Sequence, residues 1–275
     1  MPSPESTPEP FEQYLRLLGI RRRKPSYEAL AELVAANIMR IAFENVSKLY
    51  YKKRAASRGL PDLKQYLDGI ELYNFGGTCY ANNYYLYLLL QHLGYEVMLC
   101  GADMANPDVH MVNLVSVDGR EFLIDAGYSA PFLEPLPRDS KQDYVISLGR
   151  DRYVLKPRDK KGYSRMELHR DGQLKHGYTA KPIPRQIEDF AQVIEDSYSD
   201  SATFMNALLL VRFYRNRSVT IHNLSVIKSE GNDYSIYQLA GRDELPRVVE
   251  EYFAIPHGIV YEAVGELGEF GDAWN

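Results

Sequence analysis

An α+β fold is what this chain predicts, and three observations carry that prediction. Apolar residues recur at helical spacing through the first ninety or so positions, the period changes to two from about residue 95, and the last eighty-odd residues mix the two patterns. The expected division is a helical bundle over 1–93, an antiparallel β-barrel over 94–190 and an α/β lid over 191–275.

The elements follow in order. Phe11 to Leu18 reads as a helix stopped by Gly19, and Ser26 caps a second with Glu28 in its first turn. Leu30, Leu33, Val34, Ile38 and Ile41 give that helix its apolar stripe. Pro61 opens a third helix, with Leu63, Tyr66, Leu67 and Ile70 inward. A fourth starts near Cys79 and carries Leu86, Leu89, Leu90 and Leu93 before Gly94. Strands are predicted at Tyr95–Leu99, Val109–Val117 and Arg120–Asp125, the last two joined by the Asp118-Gly119 hairpin signal. Tyr144–Leu148, Tyr153–Lys156, Met166–Arg170 and Gln173–Lys175 continue a meander that suits a barrel or curled sheet. Beyond it, Asp200–Leu210 is expected to be helical and Ser218–Lys228 to pair with Tyr234–Leu239. Asp243 is expected to cap a last helix containing Pro246, Val249, Tyr252 and Phe253.

Composition narrows the function. The 275 residues are 45% hydrophobic and 25% charged, as in ordinary globular proteins, so disorder and coiled coils are excluded. A formal net charge of −5 gives no basic field for nucleic acid. The longest apolar or aromatic run, Tyr84 to Leu90, is seven residues, far short of the roughly 20 of a membrane span. Met1–Pro10 reads as a frayed tail without the features of a signal peptide, so a cytoplasmic protein with reduced thiols is expected. Two cysteines make no disulfide framework, and the histidines show no metal-ligand spacing.

Cys79 follows Gly76-Gly77-Thr78 and opens a helix, where exposed amides and the helix dipole favour a thiolate and can hold an oxyanion. A thiol nucleophile needs a base, and the base needs an orienting group. In a two-residue hairpin around Asp118-Gly119, paired positions sum to 237, so Asp125 faces Val112 and shares a sheet face with His110, diagonally across the strands. Such neighbours are roughly 7–8 Å apart at the backbone, within reach of long side chains. Taken singly, each residue has a plainer reading: a small buried cysteine, a strand histidine, a turn aspartate. Together they make a Cys-His-Asp set. Cys100 reads as a buried strand residue, and Arg21–Lys24, Lys52–Arg54 and Arg212, Arg215 and Arg217 as solvated charge.

Four segments, in order, make the chain resemble the arylamine N-acetyltransferase family. They are Ile41-Ala42-Phe43-Glu44-Asn45 (family I-P-F-E-N), Gly76-Gly77-Thr78-Cys79 (R-G-G-x-C), and His110 with Phe122-Leu123-Ile124-Asp125-Ala126-Gly127-Tyr128 (V-D-V-G-F). The fourth is Ser201-Ala202-Thr203-Phe204 to Arg212. The resemblance implies a bundle, a barrel and a lid around a core like that of papain-type cysteine enzymes. It also implies ping-pong transfer of acetyl from acetyl-CoA to an arylamine, arylhydrazine or N-hydroxyarylamine, as in xenobiotic metabolism, by a monomer or homodimer with no metal. On that likeness Cys79 is the nucleophile, His110 the base and Asp125 the orienter. Phe43 lines the acceptor pocket, Gly127 and Tyr128 lie near the CoA pantetheine, and Phe204 joins the substrate-binding set. Departures are Phe75 in place of the arginine of R-G-G, Ala81 in place of an acidic residue, and a shortened loop after Asp125. They leave room for another acyl donor, as in an amide synthase. The same three residues also suit a cysteine hydrolase, and a non-enzymatic binding protein with a degenerate site is the third alternative.

Overall fold

The computed structural model describes residues 9–55 and 58–271. Most of the predicted tail, residues 1–8, lies outside that range; its last member, Pro10, is instead the first residue of helix α1 (Pro10–Leu18). Gly19 closes α1 with φ 68°, a left-handed position that glycine adopts without penalty. The Ser26 hydroxyl accepts from the Ala29 amide and starts α2 (Tyr27–Arg40). The third predicted helix, α4 (Leu63–Tyr73), is capped by Asp62, whose carboxylate accepts from the Gln65 amide, so Pro61 stands outside it.

Helix α3 (Val46–Ala55) escaped the sequence reading because its charged last turn obscures an apolar stripe. Those charges are not simply solvated. Lys52 pairs with Asp200 at 3.0 Å, Lys53 with Glu266 at 2.7 Å and Arg54 with Glu262 at 2.6 Å, bridging α3 to the C-terminal part of the chain. Arg212 departs from expectation in the same way: it is part-buried and donates to the Phe253 carbonyl.

Helix α5 (Cys79–His92) is buried on several sides and separates two apolar cores. One core joins α1, α2, α4 and the barrel; the other joins α3 to the C-terminal helices and holds Cys79 itself. The barrel is a nearly closed eight-stranded antiparallel sheet in the order β5-β4-β3-β2-β9-β8-β7-β6. Its strands are β2 (Glu96–Asp103), β3 (His110–Val117), β4 (Arg120–Ile124), β5 (Leu136–Pro137), β6 (Tyr144–Leu148), β7 (Asp151–Leu155), β8 (Ser164–Arg170) and β9 (Gln173–Pro184). Asp118 and Gly119 both take positive φ, and Val117 pairs with Arg120, Asn113 with Ile124, which is the register the hairpin arithmetic requires. Strand β9 is far longer than the predicted Gln173–Lys175, because it pairs with both β8 and β2 around the curl of the sheet.

Helix α6 (Ala191–Asp196) follows. The predicted helix at Asp200–Leu210 shrinks to the single turn α7 (Thr203–Asn206), after which the chain becomes strand β10 (Leu209–Phe213). Helical propensity yields there to strand pairing on both edges, with β1 (Phe43–Glu44) on one side and β11 (Arg217–His222) on the other. Strands β12 (Ser225–Glu230) and β13 (Asp233–Gln238) complete this five-stranded sheet. Asp243 lies within a 3-10 turn, Arg242–Glu244, and does not cap the following helix. That helix, α8 (Leu245–Phe253), ends at Ala254 with φ 55°, and a further helix, α9 (His257–Gly265), follows Pro256.

Asn45 locks the seam between β1 and β10. Its amide donates to the Phe204 and Ala207 carbonyls at 3.0 and 2.7 Å, and its carbonyl accepts from the Leu209 amide at 2.9 Å. Removing that side chain strands three buried or part-buried backbone groups, at roughly 1 kcal/mol or more each. Asn45→Ala is therefore expected to lose about 3 kcal/mol of unfolding free energy in urea, whereas Arg54→Ala, which breaks a half-exposed ion pair, should lose far less.

Candidate active site

Cys79 is the first residue of α5, and its position depends on how closely the preceding glycines approach the rest of the chain. A Cβ on Gly76 would sit 1.9 Å from the Ala42 carbonyl oxygen, and one on Gly77 would meet the Ala81 Cβ at 2.8 Å. Gly77 also forms a parallel bridge with Phe43. The turn thus lies against the backbone that leads into β1, and glycine is required for contact distance.

Glu44 supports this turn. Its carboxyl oxygens accept from the Ser47 amide at 2.8 Å and the Gly76 amide at 3.0 Å. The group is fully buried, and burial raises its pKa above the usual carboxylate range against the pull of those hydrogen bonds. Phe75, which stands where the family pattern has arginine, packs its ring against Tyr50, Tyr51 and Tyr73 at centroid distances of 5.2–5.8 Å. An aromatic cluster occupies the place of an ion pair.

The three predicted catalytic residues come together. His110, first residue of β3, and Asp125, immediately after β4, meet at 2.8 Å through Nε2 and Oδ2, with both side chains almost fully buried. With Nε2 committed to the carboxylate, the other ring nitrogen is the one left for the Cys79 sulfur, which acts to raise the imidazole pKa. Burial by itself lowers the imidazole pKa. The Asp125 charge and hydrogen bond, with the sulfur's contribution, outweigh it and raise the value to about 10. For Asp125, burial pushes the pKa up, but the His110 charge, its hydrogen bond, and bonds from Asn83 and Gly127 bring it below the ordinary range.

Asn83 was not picked out from the sequence, yet it ties α5 to β3 and to the loop that follows β4. Its amide donates to Asp125 Oδ1 at 2.9 Å and to the Met111 carbonyl at 2.7 Å, while its carbonyl accepts from the Ala126 amide at 2.7 Å. The available signal was spacing: four residues after Cys79 on a helix, it shares the cysteine's face.

The residues predicted to bind substrate are placed differently from one another. Phe204 lines a cavity of about 450 Å³ together with Lys48, Thr78, Cys79 and Val109. Phe43 stands behind it in an edge-to-face contact at 5.4 Å. Gly127 backs onto the cysteine, where a Cβ would lie 2.6 Å from the Cys79 Cα. Tyr128 is buried, with its hydroxyl 2.8 Å from His176 Nδ1 and its ring 5.9 Å from that of His110. Cys100 lies buried in β2, where burial raises its thiol pKa to about 12. Among the described residues no group of three or more His, Cys, Asp or Glu gathers to hold a metal, and no helix is long and apolar enough to cross a membrane.

Helices, a barrel and a second, five-stranded sheet meet around this cysteine, and comparison with known proteins assigns that architecture to an acyltransferase family. The family model described as N-acetyltransferase matches residues 26–259, and the chain belongs to that family, as an arylamine N-acetyltransferase-type enzyme. It is similar to human arylamine N-acetyltransferase 1, at 26% identity over 66% of this chain and 69% of the relative. It is likewise similar to proansamycin X synthase of Amycolatopsis mediterranei (strain S699), at 27% over 90% and 98%. The arylamine N-acetyltransferase of Nocardia farcinica superimposes with a TM-score of 0.75 at 25% identity, over 92% of this chain and 93% of that one. That of Salmonella typhimurium shares the fold with a TM-score of 0.76 at 16% identity, over 94% and 99%.

Two predictions follow from the geometry. A histidine whose folded pKa lies above its unfolded value stabilises fully below the unfolded value, about 6.5, and loses that contribution as pH rises toward 10. Urea denaturation of the wild type should show a fall in stability across that window that is shallower in Asp125→Asn. Gly127→Ala forces a methyl against the Cys79 backbone, and its unfolding free energy should drop by at least about 1–3 kcal/mol, with impaired alkylation of the cysteine.

Proposed function

We propose that this chain transfers an acetyl group from acetyl-CoA to an arylamine, arylhydrazine or N-hydroxyarylamine through an acetyl-cysteine at Cys79. The observation that supports this reading best is the buried Asp125–His110 pair with one imidazole nitrogen left to the sulfur. The Asp125 charge keeps the imidazole protonated, and an imidazolium beside the sulfur favours the thiolate.

The thiolate attacks the thioester carbonyl, and amides at the start of α5 stabilise the oxyanion. As the intermediate collapses, the bond to the CoA sulfur breaks, His110 gives it a proton, and CoA leaves. The amine nitrogen then attacks the acetyl-cysteine carbonyl and passes a proton to His110. Loss of the N-acetyl product restores thiolate and imidazolium. Donor and acceptor use one site in turn, which is ping-pong order. Phe204 would contact the acceptor ring with Phe43 behind it, Gly127 would hold the approach to the cysteine, and Tyr128 would buttress His110. No step calls for a metal, and an acceptor met in the cytoplasm suits reduced thiols.

A second reading is acylation with a different donor. The similarity to a protein named as a synthase, over nearly the full length of both chains, favours it, and so do Phe75, Ala81 and the short loop after Asp125. Intact mass spectrometry after acetyl-CoA exposure without amine separates the readings. One acetyl adduct is expected on the wild type and on Cys100→Ala, and none on Cys79→Ala. Absence of the adduct with acetyl-CoA, alongside labelling by a longer acyl thioester, would move the proposal to the second donor class. Rapid loss of the adduct to water without amine would point to a hydrolase.

A further inference from the structure

Tyr128 stands where the pattern V-D-V-G-F has phenylalanine, so this chain carries a phenolic hydroxyl there. The residue is 7% exposed, and a buried hydroxyl needs a partner. His176 on β9 supplies it, with Nδ1 2.8 Å from the hydroxyl oxygen. Burial, helped by the Arg170 charge and opposed by that of Asp151, brings the His176 pKa down to about 4, so its imidazole is neutral at pH 7. Burial acts on Tyr128 in the other sense and keeps the phenol protonated. The hydroxyl has no other partner among the described residues, so its proton goes to Nδ1 and the imidazole carries its own proton on Nε2.

The loop that follows β4 touches the reacting set on both sides of Tyr128's neighbour. Gly127 donates its amide to Asp125 Oδ1 at 2.9 Å, and its Cα presses on the Cys79 backbone. Ser129 takes φ 62°, a left-handed conformation that a non-glycine residue holds only where its surroundings impose it. Tyr128 lies between these two residues. Its ring meets that of Tyr178 edge-on at 4.9 Å, runs nearly parallel to that of Phe132 at 6.1 Å and lies 5.9 Å from that of His110. Ring packing of this kind resists displacement but fixes no direction. The bond from the hydroxyl to Nδ1 does, and it pins the far end of the ring to the barrel wall.

We propose that His176 is a positioning residue for the chemistry at Cys79: through the Tyr128 hydroxyl it fixes the loop whose Gly127 amide serves Asp125 and whose backbone closes on the cysteine. It acts through Tyr128 and not on the reacting atoms. The tether runs from β9 through Tyr128 to Gly127, and from there to Asp125 and to Cys79. β9 thereby constrains the same carboxylate that α5 constrains through Asn83. With the tether cut, the loop is free to withdraw, and the buried Asp125 carboxylate loses the Gly127 amide, one of the groups that orient it toward His110. A shift of that pair weakens the imidazolium's hold on the thiolate. This role rests on the reading of Cys79 as the nucleophile, and on no particular acyl donor or acceptor.

Iodoacetamide alkylation of Cys79, followed by intact mass in a Cys100→Ala background so that one thiol reports, tests the tether without any acyl donor. Tyr128→Phe, His176→Leu and the double variant should each react about tenfold more slowly than the parent, the double no more slowly than either single, because the two residues act as a unit. His176→Asn, whose carbonyl oxygen can stand near the place of Nδ1, should recover the rate to within about twofold of the parent. A bond that merely satisfied the phenol would give another pattern, with the double variant, which has neither polar group, reacting as fast as the parent. That pattern, an unchanged rate in Tyr128→Phe, or no recovery in His176→Asn would each overturn the assignment. Should His176→Leu not fold, Tyr128→Phe keeps the ring and its packing and decides alone. In turnover, Tyr128→Phe should lower kcat about tenfold and leave KM for the amine within about twofold. Failure of the parent to form an acetyl adduct, with the alkylation pattern intact, would sink the acetyl-transfer reading alone.

Discussion

A carboxylate and an imidazole held out of water, 2.8 Å apart, constrain everything built around Cys79. Each charge alone would cost several kcal/mol to bury, so the pair is tolerable only where both are fully hydrogen-bonded. Asp125 meets that condition by accepting from His110, Asn83 and the Gly127 amide. These partners come from three places in the chain: the start of β3, the second turn of α5 and the loop leaving β4. The pair therefore ties the barrel to the helix that carries the cysteine. A bundle that drifted from the barrel would leave a buried charge unpaired, and that penalty keeps the sulfur within reach of the imidazole.

The cysteine's other flank is supported by different chemistry from the family pattern. Where that pattern pairs a glutamate with an arginine, this chain has Glu44 with backbone amides and Phe75 within a ring cluster. The exchange is physically reasonable. A buried ion pair contributes little net stability, and well-packed apolar groups often replace it without loss. Glu44 retains the geometric task, since its two oxygens still bind the Ser47 amide and the Gly76 amide just ahead of the Gly77 turn. Burial raises the pKa of that carboxyl, and the hydrogen bonds from the Ser47 and Gly76 amides oppose the rise.

What could be read from the sequence was whatever local rules decide. The two-residue turn at Asp118-Gly119 set the pairing sum, and the sum put His110 and Asp125 on one face. Ser26 and Gly19 marked helix ends by capping chemistry that needs no tertiary context. The parts that stayed hidden depend on partners distant in the chain. β1 is two residues long and exists because β10 lies beside it. The turn α7 and strand β10 replace a helical pattern for the same reason. α3 shows its apolar side only against Phe75, Tyr73 and the C-terminal helices, and its cations find their acids more than a hundred residues away. Asn83 and Lys48 were not singled out by any motif or spacing. Their weight comes from burial, which sequence spacing does not report.

The reacting set and the cavity wall are anchored in different parts of the molecule. His110, Asp125 and Asn83 hang from the barrel and α5, whereas Lys48, Ser197 and Phe204 belong to α3 and the stretch that follows α6. The two groups are joined at Asn45, which fixes the Phe204 carbonyl, and at the Phe43–Phe204 ring contact. Substitutions on α3 or around Ser197 can thus alter charge and shape at the cavity wall without disturbing the hydrogen bonds of Asp125. Changes at Asn45 or Phe43 reach both, because they move the wall relative to the turn that carries the cysteine. Such an arrangement leaves charge and shape free to vary on one side of α5 while the Asp125–His110 geometry beside Cys79 is preserved on the other.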